Sequence, residues 1–517
     1  MAAKILWIDD EIDLLRPQCI ILGNAGYEVK TASNGVDALQ MLASQPFDVV
    51  LLDENMPNMS GLETLNRIKK QFPDIPVVMI TKSEEEDIME QAIGQKIANY
   101  LVKPVSKMQL LSCLKQLVGK QQLISQTSQH NYQADFAALS MEMNECTTFA
   151  QWSTLYQKLV RYDIDLEGIK AMDEVQQMQK QSANEGFSKF VSKNYLKWMQ
   201  QRTANDDSVP LMSNRILKDR ILPMLEQGRK VVLIVIDNCR LDQWETIRPL
   251  LSPHFNISTE LYCSILPTAT QFARNAIFSG LMPSEIESLF PQYWSNSQNE
   301  SSQNQYEREL IGTFFSRYRK TQYKYAYYKV NTAESGENLV KKFPNYRDNH
   351  LNAFVFNFVD MLSHARTDVN VVNQLSNTDA AYRSVTRSWF EHSALFDLLM
   401  LLRSENALVV ITTDHGTIKV DTPRKVVGDR EVNTNLRFKT GKNLSFDTKN
   451  IFEIKNPAEA FLPQNNLSSN YIFATNSDFF VYPNNYSEYS HRFAGTFQHG
   501  GVSMEEMIIP FVCMEAK

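Results

Sequence analysis

The sequence feature that most constrains the fold is the apolar run Ala407–Ile411, which leads into Thr-Thr-Asp-His-Gly at residues 412–416. An uninterrupted apolar run of this length predicts a strand that is buried on both faces. Asp414 and His415 then lie at its C-terminal end, and Gly416 allows another backbone segment to approach closely. Open α/β sheets bind ligands and metals at this end of their strands. The run therefore predicts an α/β fold with a candidate site at Asp414 and His415.

The composition indicates a folded protein with reduced thiols. Of the 517 residues, 43% are hydrophobic and 21% are charged, so several domains with sizeable cores are expected. The net charge of -7 argues against a protein that binds duplex DNA through its phosphates. The six cysteines have no C-x-x-C spacing, which favours free thiols. No signal peptide and no apolar run of about 20 residues is present, so we expect a cytoplasmic protein without membrane association.

Residues 1 to about 120 are predicted to form one doubly wound parallel sheet. Strand-like runs alternate with helical patterns, and they cover Lys4–Ile8, Phe47–Leu52, Ile75–Ile80 and Tyr100–Val102. The C-terminal ends of parallel strands meet at one edge of a sheet. Polar side chains expected there are Asp9, Asp10, Asp53, Thr81 and Lys103. Clustered carboxylates repel each other unless a cation joins them, which predicts Mg²⁺. A carboxylate beside Mg²⁺ and a lysine can accept a phosphoryl group.

Together with the Met-Pro-Asn-Met-Ser-Gly turn at residues 56–61, these side chains resemble the receiver domain of two-component response regulators. The resemblance implies that Asp53 is the phosphoacceptor and that a sensor histidine kinase is a partner. It implies a Mg²⁺ site formed by Asp9, Asp10, Asp53 and the carbonyl of Asn55. It also implies switch residues at Thr81, Tyr100 and Lys103.

Residues 121 to 205 are predicted to form a helical connector. The stretch is rich in Gln, Met and Leu, and only Gly168 and Gly186 interrupt it after residue 120. Apolar residues recur at helical spacing, for instance at Phe149, Trp152, Leu155 and Leu159. We expect three or four helices packed as a bundle, with a role in dimerisation or signal relay inferred from position alone. A turn at residues 205–210 should precede the next domain.

Residues 206 to 517 contain further polar side chains after predicted strands or in glycine-rich turns. They are Asp237 after Arg229–Ile236, Thr270 in the turn before an amphipathic helix, Asp360 and His364 after Ala353–Val359, Asp414 and His415, and His499 before two glycines. Imidazoles and carboxylates suit Zn²⁺ or Mn²⁺, and a threonine oxygen bound to such a metal becomes a nucleophile. The N-terminus of the helix would favour an alkoxide or a phosphate at Thr270. Two ions about 4 Å apart would stabilise both the attacking and the leaving oxygen of a phosphoryl displacement.

The order Asp, Thr, Asp-x-x-x-His, Asp-His, His resembles the alkaline phosphatase superfamily, and its details resemble the PglZ branch. The resemblance implies that one Zn²⁺ is held by Asp237, Thr270, Asp414 and His415. It implies that a second Zn²⁺ is held by Asp360, His364 and His499. Thr270 would be the nucleophile rather than Thr268. Sulfatases of the superfamily need a modifiable cysteine in a C-x-P-x-R pattern, which Cys263 does not fit. The alternative is a degenerate fold that binds no metal.

Two basic stretches bear on the substrate. Residues 317–329 interleave tyrosines with lysines and arginines, which could stack bases and attract phosphates. The alternative for this stretch is a partly exposed strand. Residues 437–442 either contact an anionic substrate or form a solvated loop.

The order of receiver, helical connector and PglZ-type domain resembles response regulators linked to type IX secretion. The resemblance implies a phosphorylation-dependent homodimer and contact with a sigma factor or a secretion component. It also implies a zinc-dependent phosphodiesterase acting on linear or cyclic oligonucleotides. A non-enzymatic adaptor with a metal-stabilised surface is the alternative. A DNA-binding regulator is disfavoured by the acidic composition and by the absence of a small helical or winged output domain.

Overall fold

The structure is a computed structural model that describes residues 3–57, 59–72, 75–81, 98–105, 107–167, 170–201, 208–295, 304–368, 378–405, 407–428, 433, 435–464, 468–484 and 486–517. The chain divides into two compact units, Met1–Tyr132 and Gln133–Lys517, which are described separately. In the ranges given above, no helix is both long and apolar enough to cross a membrane. All six cysteines are free thiols, as predicted.

The first unit contains a parallel sheet with the strand order β2-β1-β3-β4-β5. Its described strands are β1 (Lys4–Ile8), β2 (Glu28–Ala32), β3 (Val49–Asp53), β4 (Val77–Thr81) and β5 (Asn99–Val102). Its described helices are α1 (Arg16–Asn24), α2 (Gly35–Ser44), α3 (Gly61–Gln71) and the first part of α4 (Lys107–Glu145). The predicted doubly wound fold is confirmed.

Both faces of this sheet are buried, which is why its central strands read as continuous apolar runs. Leu6 and Val50 belong to the core on one face, and Ile5 and Val49 belong to the core on the other. Strand β2 was not among the predicted strands. It lies at the sheet edge and has one fully buried side chain, Ala32, so no apolar run marks it in the sequence.

The helical connector is confirmed as helical. Helix α4 continues without a break through residue 120 to Glu145, and it is followed by α5 (Phe149–Asp165) and α6 (Lys170–Gln201). Gly186 is required inside α6 because a Cβ there would lie 2.7 Å from the indole ring of Trp152 on α5. The predicted turn at residues 205–210 lies largely outside the described residues.

The second unit has a six-stranded sheet in its described part, and three small sheets lie beside it. Its strands are β6 (Val231–Ile236), β7 (Phe255–Cys263), β8 (Tyr325–Val330), β9 (Leu351–Phe356), β10 (Leu408–Thr412), β11 (Ile418–Lys419), β12 (Thr422–Val427), β13 (Phe438–Gly441), β14 (Ser445–Phe446), β15 (Ile451–Ile454), β16 (Asn470–Ala474), β17 (Asp478–Val481), β18 (Phe497–Gln498) and β19 (Ile508–Ala516). The large sheet has the order β7-β19-β10-β6-β9-β8. Strands β10, β6, β9 and β8 are parallel, so their C-terminal ends share one edge.

Besides the connector helices, the described part of the second unit has further α-helices. They are α7 (Leu222–Glu226), α8 (Leu241–Leu251), α9 (Thr270–Ser279), α10 (Pro283–Leu289), α11 (Glu307–Arg317), α12 (Ala333–Lys342), α13 (Phe358–Asp368), α14 (Asp379–Glu391), α15 (Ala394–Leu402), α16 (Tyr486–Phe493) and α17 (Met504–Met507). The α/β class predicted for this part of the chain is confirmed.

The tyrosine- and lysine-rich stretch forms the edge strand β8, so the strand interpretation is confirmed for residues 325–329. Its aromatic side chains pack within the protein. The ring of Tyr327 lies 5.7 Å from that of Phe278, and its hydroxyl donates to Glu307. These contacts leave no support for base stacking at this tyrosine.

The interpretation of residues 437–442 as a solvated loop is wrong for Arg437 and Lys439, which are buried. Arg437 forms an ion pair with Glu506 at 2.6 Å. The Lys439 ammonium donates to the carbonyl of Asn433 at 2.8 Å and lies 4.6 Å from the ring centre of Tyr482.

Candidate functional site

Strand β10 places Asp414 and His415 in the buried crevice predicted for them. Asp237 follows the neighbouring parallel strand β6, and all three side chains are inaccessible or nearly so. One ligand atom from each of these residues lies within 4.8 Å of the others, a spacing that suits a shared metal ion. Asp237 and Asp414 are far apart in the sequence, and the parallel pairing of β6 with β10 brings them together.

His415 has the tautomer that a metal ligand needs. Its Nδ1 lies 3.1 Å from the carbonyl oxygen of Gly416, and a carbonyl can only accept, so Nδ1 carries the proton. The Nε2 atom then has a lone pair, and it lies 3.0 Å from Oγ1 of Thr270. Burial lowers the pKa of His415 to about 4, so the imidazole is neutral at pH 7.

Thr270 is the first residue of α9, as the sequence predicted. Its hydroxyl lies 3.0 Å from Nε2 of His415 and 3.4 Å from Oδ1 of Asp237. The positive end of the helix dipole favours an alkoxide at this position. Thr268 has a different environment, because its buried hydroxyl donates to the carbonyl of Gly501 at 2.9 Å and accepts from the N–H of Gly500 at 3.0 Å. Thr268 therefore holds the turn together.

A second group of predicted ligands lies beside the first. The imidazole of His499 stacks on that of His415, with ring centres 4.3 Å apart. Its Nδ1 donates to the carbonyl of Thr268 at 3.1 Å, so Nε2 carries the lone pair, and this atom lies 3.9 Å from Oδ1 of Asp360. Asp360 does not end a strand, since it lies in the first turn of α13. His364 is one helical turn further along α13, and its side chain lies outside the described part of the structure.

Gly416 is required by packing, as the sequence suggested. A Cβ at this residue would lie 2.0 Å from the backbone oxygen of Glu505, so that only glycine allows the two backbones to approach. The N–H of Gly416 also donates to the carbonyl of Glu506 at 3.2 Å. This contact fixes the loop after Asp414 and His415 against α17.

Arg274, its partner Glu307 and Asn238 are polar residues of the site that the sequence analysis did not identify. Arg274 lies one turn after Thr270 on α9, and its guanidinium forms ion pairs with Asp237 and with Glu307. Asn238 has a left-handed backbone (φ 61°), donates its N–H to Asp414 at 3.2 Å and its side-chain amide to Asp360 at 3.1 Å. Its position directly after a strand-end aspartate was the one available clue, because asparagine tolerates this backbone conformation.

The pKa values of the two buried carboxyl groups shift in opposite directions. Burial alone would raise the pKa of Asp237, but the guanidinium of Arg274 holds it below its ordinary value. Burial and the charge of Asp237 raise the pKa of Asp414 well above its ordinary value. Oδ2 of Asp414 is buried and accepts no hydrogen bond from a described residue. A buried carboxylate oxygen without a donor, next to a second carboxylate and a neutral imidazole, fits a divalent cation such as Zn²⁺.

In the first unit, the structure brings together four of the predicted receiver residues. Asp9 and Asp53 are buried, Asp10 is exposed, and one carboxylate oxygen of each lies within 4.8 Å of the others. The Lys103 ammonium lies 2.7 Å from Asp9 and 2.9 Å from Asp53. Burial raises the pKa of Asp53, and Asp9 raises it further against the opposing effect of Lys103. This acidic group fits Mg²⁺.

The structure gives the backbone positions of the remaining predicted receiver residues, Asn55, Thr81 and Tyr100. Asn55 follows β3 and is exposed. Thr81 ends β4 and Tyr100 lies in β5, but the side chains of both fall outside the described part of the structure.

Comparison with protein families assigns a known type to each of these parts. The description of the best-covered match is "BREX system PglZ alkaline phosphatase-like domain", and it spans residues 216–514, more than half of the chain. The response regulator receiver domain matches residues 5–115. The PorX response regulator linker domain matches residues 122–199.

Individual relatives match the first unit. The chain is 34% identical over 120 residues to the transcriptional regulatory protein CpxR homolog of Haemophilus influenzae, which covers 23% of this chain and 51% of that protein. It is 38% identical over 115 residues to the sensor histidine kinase RcsC of Salmonella typhi, covering 22% of this chain and 12% of that protein. The chain thus spans about half or less of these relatives. The structure of chemotaxis protein CheY4 of Vibrio cholerae is 32% identical, with a TM-score of 0.22, and covers 23% of this chain and 99% of that chain.

Proposed function

The chain belongs to the family of the PglZ alkaline phosphatase-like domain and has the receiver and linker domains of a PorX-like response regulator, and from this premise we propose that it is a phosphorylation-controlled, zinc-dependent phosphodiesterase. Asp53 would be the phosphoacceptor and Thr270 the nucleophile. Receiver domains pair with sensor histidine kinases, so a kinase of this class would supply the signal.

The observation that carries the proposal is the position of the Thr270 hydroxyl. It lies within 3.4 Å of both His415 and Asp237, at the N-terminus of α9 and at the mouth of a buried group of metal-ligand side chains. Asp237, Thr270, Asp414 and His415 would hold one Zn²⁺, and Asp360, His364 and His499 would hold the other. Bound zinc would supply Lewis acidity to the attacking and leaving oxygens.

The residues of the chain itself have separate tasks in this reaction. The Thr270 hydroxyl attacks the phosphorus and its proton passes to the leaving oxygen, so that a phosphothreonine ester forms and the leaving group departs as an alcohol. Water then breaks the bond between phosphorus and Oγ1 in a second displacement, which restores the hydroxyl and releases a phosphomonoester. The dipole of α9 stabilises the negative charge that develops on Oγ1. Gly416 and Thr268 keep the ligand-bearing loops in place.

The substrate and partners form the finer part of the proposal. We infer linear or cyclic oligonucleotides as substrates, a homodimer that forms on phosphorylation, and contact with a sigma factor or a component of type IX secretion. Residues 1–120, 121–205 and 206–517 would act as receiver, connector and output domain in the cytoplasm.

A metal assay combined with a chromogenic phosphodiester tests the enzymatic claim. We expect wild-type protein to contain zinc and to hydrolyse the ester, and Thr270→Ala to lose at least about 1000-fold in kcat, with the zinc content of each variant measured alongside. Thr270→Ser keeps a hydroxyl and is the matched control, which should retain part of the rate. Full zinc occupancy without any Thr270-dependent turnover would instead support the non-enzymatic adaptor.

A further inference from the structure

Lys329 is a cation at the candidate site to which the proposed mechanism assigns no task. It lies near the C-terminal end of the edge strand β8 and pairs in register with Val355 of β9, which pairs with Val235 of β6. Paired residues of parallel strands point to the same face of a sheet, and so do residues two positions apart. Lys329 and Asp237 therefore lie on the same face, at the edge where the crevice opens.

This face is the one that carries helix α9. Tyr327, two residues before Lys329, contacts Phe278 of α9 with its ring and Glu307 of α11 with its hydroxyl. Lys329 lies two residues further along the strand and is therefore closer to the C-terminal edge of the sheet. Lys329 thus lies on the face that carries α9, the helix whose first residue is Thr270.

Several charged side chains of described residues lie near Lys329, but none of them is bonded to its ammonium group. Asp237, Asp414, Glu307 and Arg274 all act on its charge, but none of these four described residues forms a hydrogen bond or an ion pair with it. The side chain is half-buried. Ion pairs to Asp237 and Glu307 already engage the guanidinium of Arg274. Lys329 is therefore the cation in this group that can accept a new anionic partner.

Two of the three carboxylates that attract Lys329, Asp237 and Asp414, are proposed ligands of Zn²⁺. When they bind the metal, the charge opposite the ammonium is neutralised, and an anion becomes the favourable neighbour. The anion that enters a phosphoryl-transfer site is the phosphate group of the substrate. An ammonium group on a flexible stem binds phosphate oxygens as a point charge.

We propose that Lys329 binds a non-bridging oxygen of the substrate phosphate through its ammonium group. The proposal rests on the proposed function, because it assigns a substrate contact to the same site. It also predicts a preference based on charge. A phosphomonoester carries up to two negative charges and a phosphodiester carries one, so the contribution of Lys329 should be larger for the monoester.

The experiment uses the full-length, zinc-loaded protein and two readouts. Calorimetry measures the Kd for inorganic phosphate, and steady-state kinetics measures KM and kcat for a chromogenic monoester and a chromogenic diester. The variants are Lys329→Gln and Lys329→Arg, and the second keeps the charge in case the first does not fold. The matched control is Lys324→Gln, an exposed lysine at the other end of the same strand region.

We expect Lys329→Gln to raise the Kd for phosphate at least about tenfold and to raise KM more for the monoester than for the diester, with unchanged zinc content. Lys329→Arg should retain most of the affinity, and Lys324→Gln should behave as wild type. If Lys329 only supported the fold, its replacement would change KM for the monoester and for the diester to a similar extent.

Several outcomes would overturn the assignment. Unchanged Kd and KM in Lys329→Gln would do so, and so would loss of zinc from this variant or wild-type protein that binds no phosphate. Wild type that binds phosphate but hydrolyses neither ester would refute the proposed function alone, and the phosphate Kd of the variants would still decide the role of Lys329.

Discussion

At the scale of single residues, the candidate site is made of groups that are unfavourable without a ligand. Asp237 and Asp414 are both buried, and the charge of one raises the pKa of the other. The neutral imidazole of His415 cannot compensate that repulsion. A divalent cation would attract both carboxylates and so offset their repulsion. Removing any one of these side chains should therefore change the amount of metal that the protein binds.

Replacing Asp414 or His415 by alanine should remove zinc and turnover together, because each change deletes one ligand of a closely spaced set. Phosphorylation at Asp53 should remain intact, because the receiver site uses a different group of residues. Elemental analysis, the diester assay and labelling with acetyl phosphate measure the three properties. His392→Ala, at an exposed histidine, is the control. Full zinc content in both variants would contradict the ligand assignment.

Lys439 should make the stability depend on pH. Burial lowers the pKa of this lysine to about 7, whereas in the unfolded chain it is about 10.4. Between these values the unfolded chain binds a proton that the folded protein does not, so the free energy of unfolding rises with pH. Below about pH 7 both states are protonated and this contribution stops changing.

Urea unfolding at pH 7 and pH 9 measures this effect. Wild type should gain on the order of 2 kcal/mol relative to Lys439→Met over this interval. Lys449→Met, at an exposed lysine, should follow wild type. Parallel pH profiles for wild type and Lys439→Met would show that Lys439 is charged in the folded protein at pH 7.

At the scale of elements, helix α6 of the connector is bound to the loops that carry the site. The side-chain amide of Asn184 donates to Glu505 at 3.0 Å and accepts from the N–H of Met504 at 2.8 Å. The hydroxyl of Tyr195 accepts from the N–H of Leu266, just before the turn that leads to Thr270. The connector is therefore part of the support of the site within the second unit.

Asn184→Ala should lower the free energy of unfolding by about 2 kcal/mol or more, because it leaves a buried carboxylate and a buried N–H without their partner. It should also weaken turnover, since Glu505 contacts Gly416. Asn194→Ala in the same helix is the control, because among the described residues the Asn194 side chain donates only to the carbonyl of Phe190 one turn earlier. Equal unfolding midpoints for the two variants would contradict this role of Asn184.

At the scale of the whole molecule, two acidic groups with different chemistry share one chain. Asp9, Asp10 and Asp53 offer oxygen ligands with a lysine nearby, which suits Mg²⁺ and phosphoryl acceptance. The group at Asp237 adds imidazole, which suits Zn²⁺. The chain has the receiver, linker and PglZ domains in this order, and in the proposed function phosphorylation of the first group controls the second.

Acetyl phosphate with Mg²⁺ should change both the mass measured by light scattering and the rate of diester hydrolysis. Asp53→Asn should abolish both responses while keeping the basal rate, because it removes the phosphoacceptor and no residue of the Thr270 site. Thr270→Ala should show the change in mass without turnover. If phosphorylated wild type changes in neither property, the proposed coupling is wrong.

The sequence by itself determined the features that depend on neighbouring residues. Buried-strand runs identified β1, β3, β6 and β10, and the acids and histidines after such runs marked both candidate sites. Burial on two faces and the period of a helix are properties of a short segment, so they can be read without a structure. The edge strand β2 was not predicted, because it has few apolar residues and most of its side chains are not buried.

Only the tertiary structure decided which distant side chains meet. Arg274, Glu307 and Lys329 lie at the site because β8 pairs with β9 and α11 packs on the same face, and nothing in their local sequence indicates it. Arg437 is another example, since a basic stretch suggests exposure until Glu506 neutralises the charge in the core. Ion pairs of this kind depend on contacts between segments far apart in the chain, and such contacts exist only after the chain has folded.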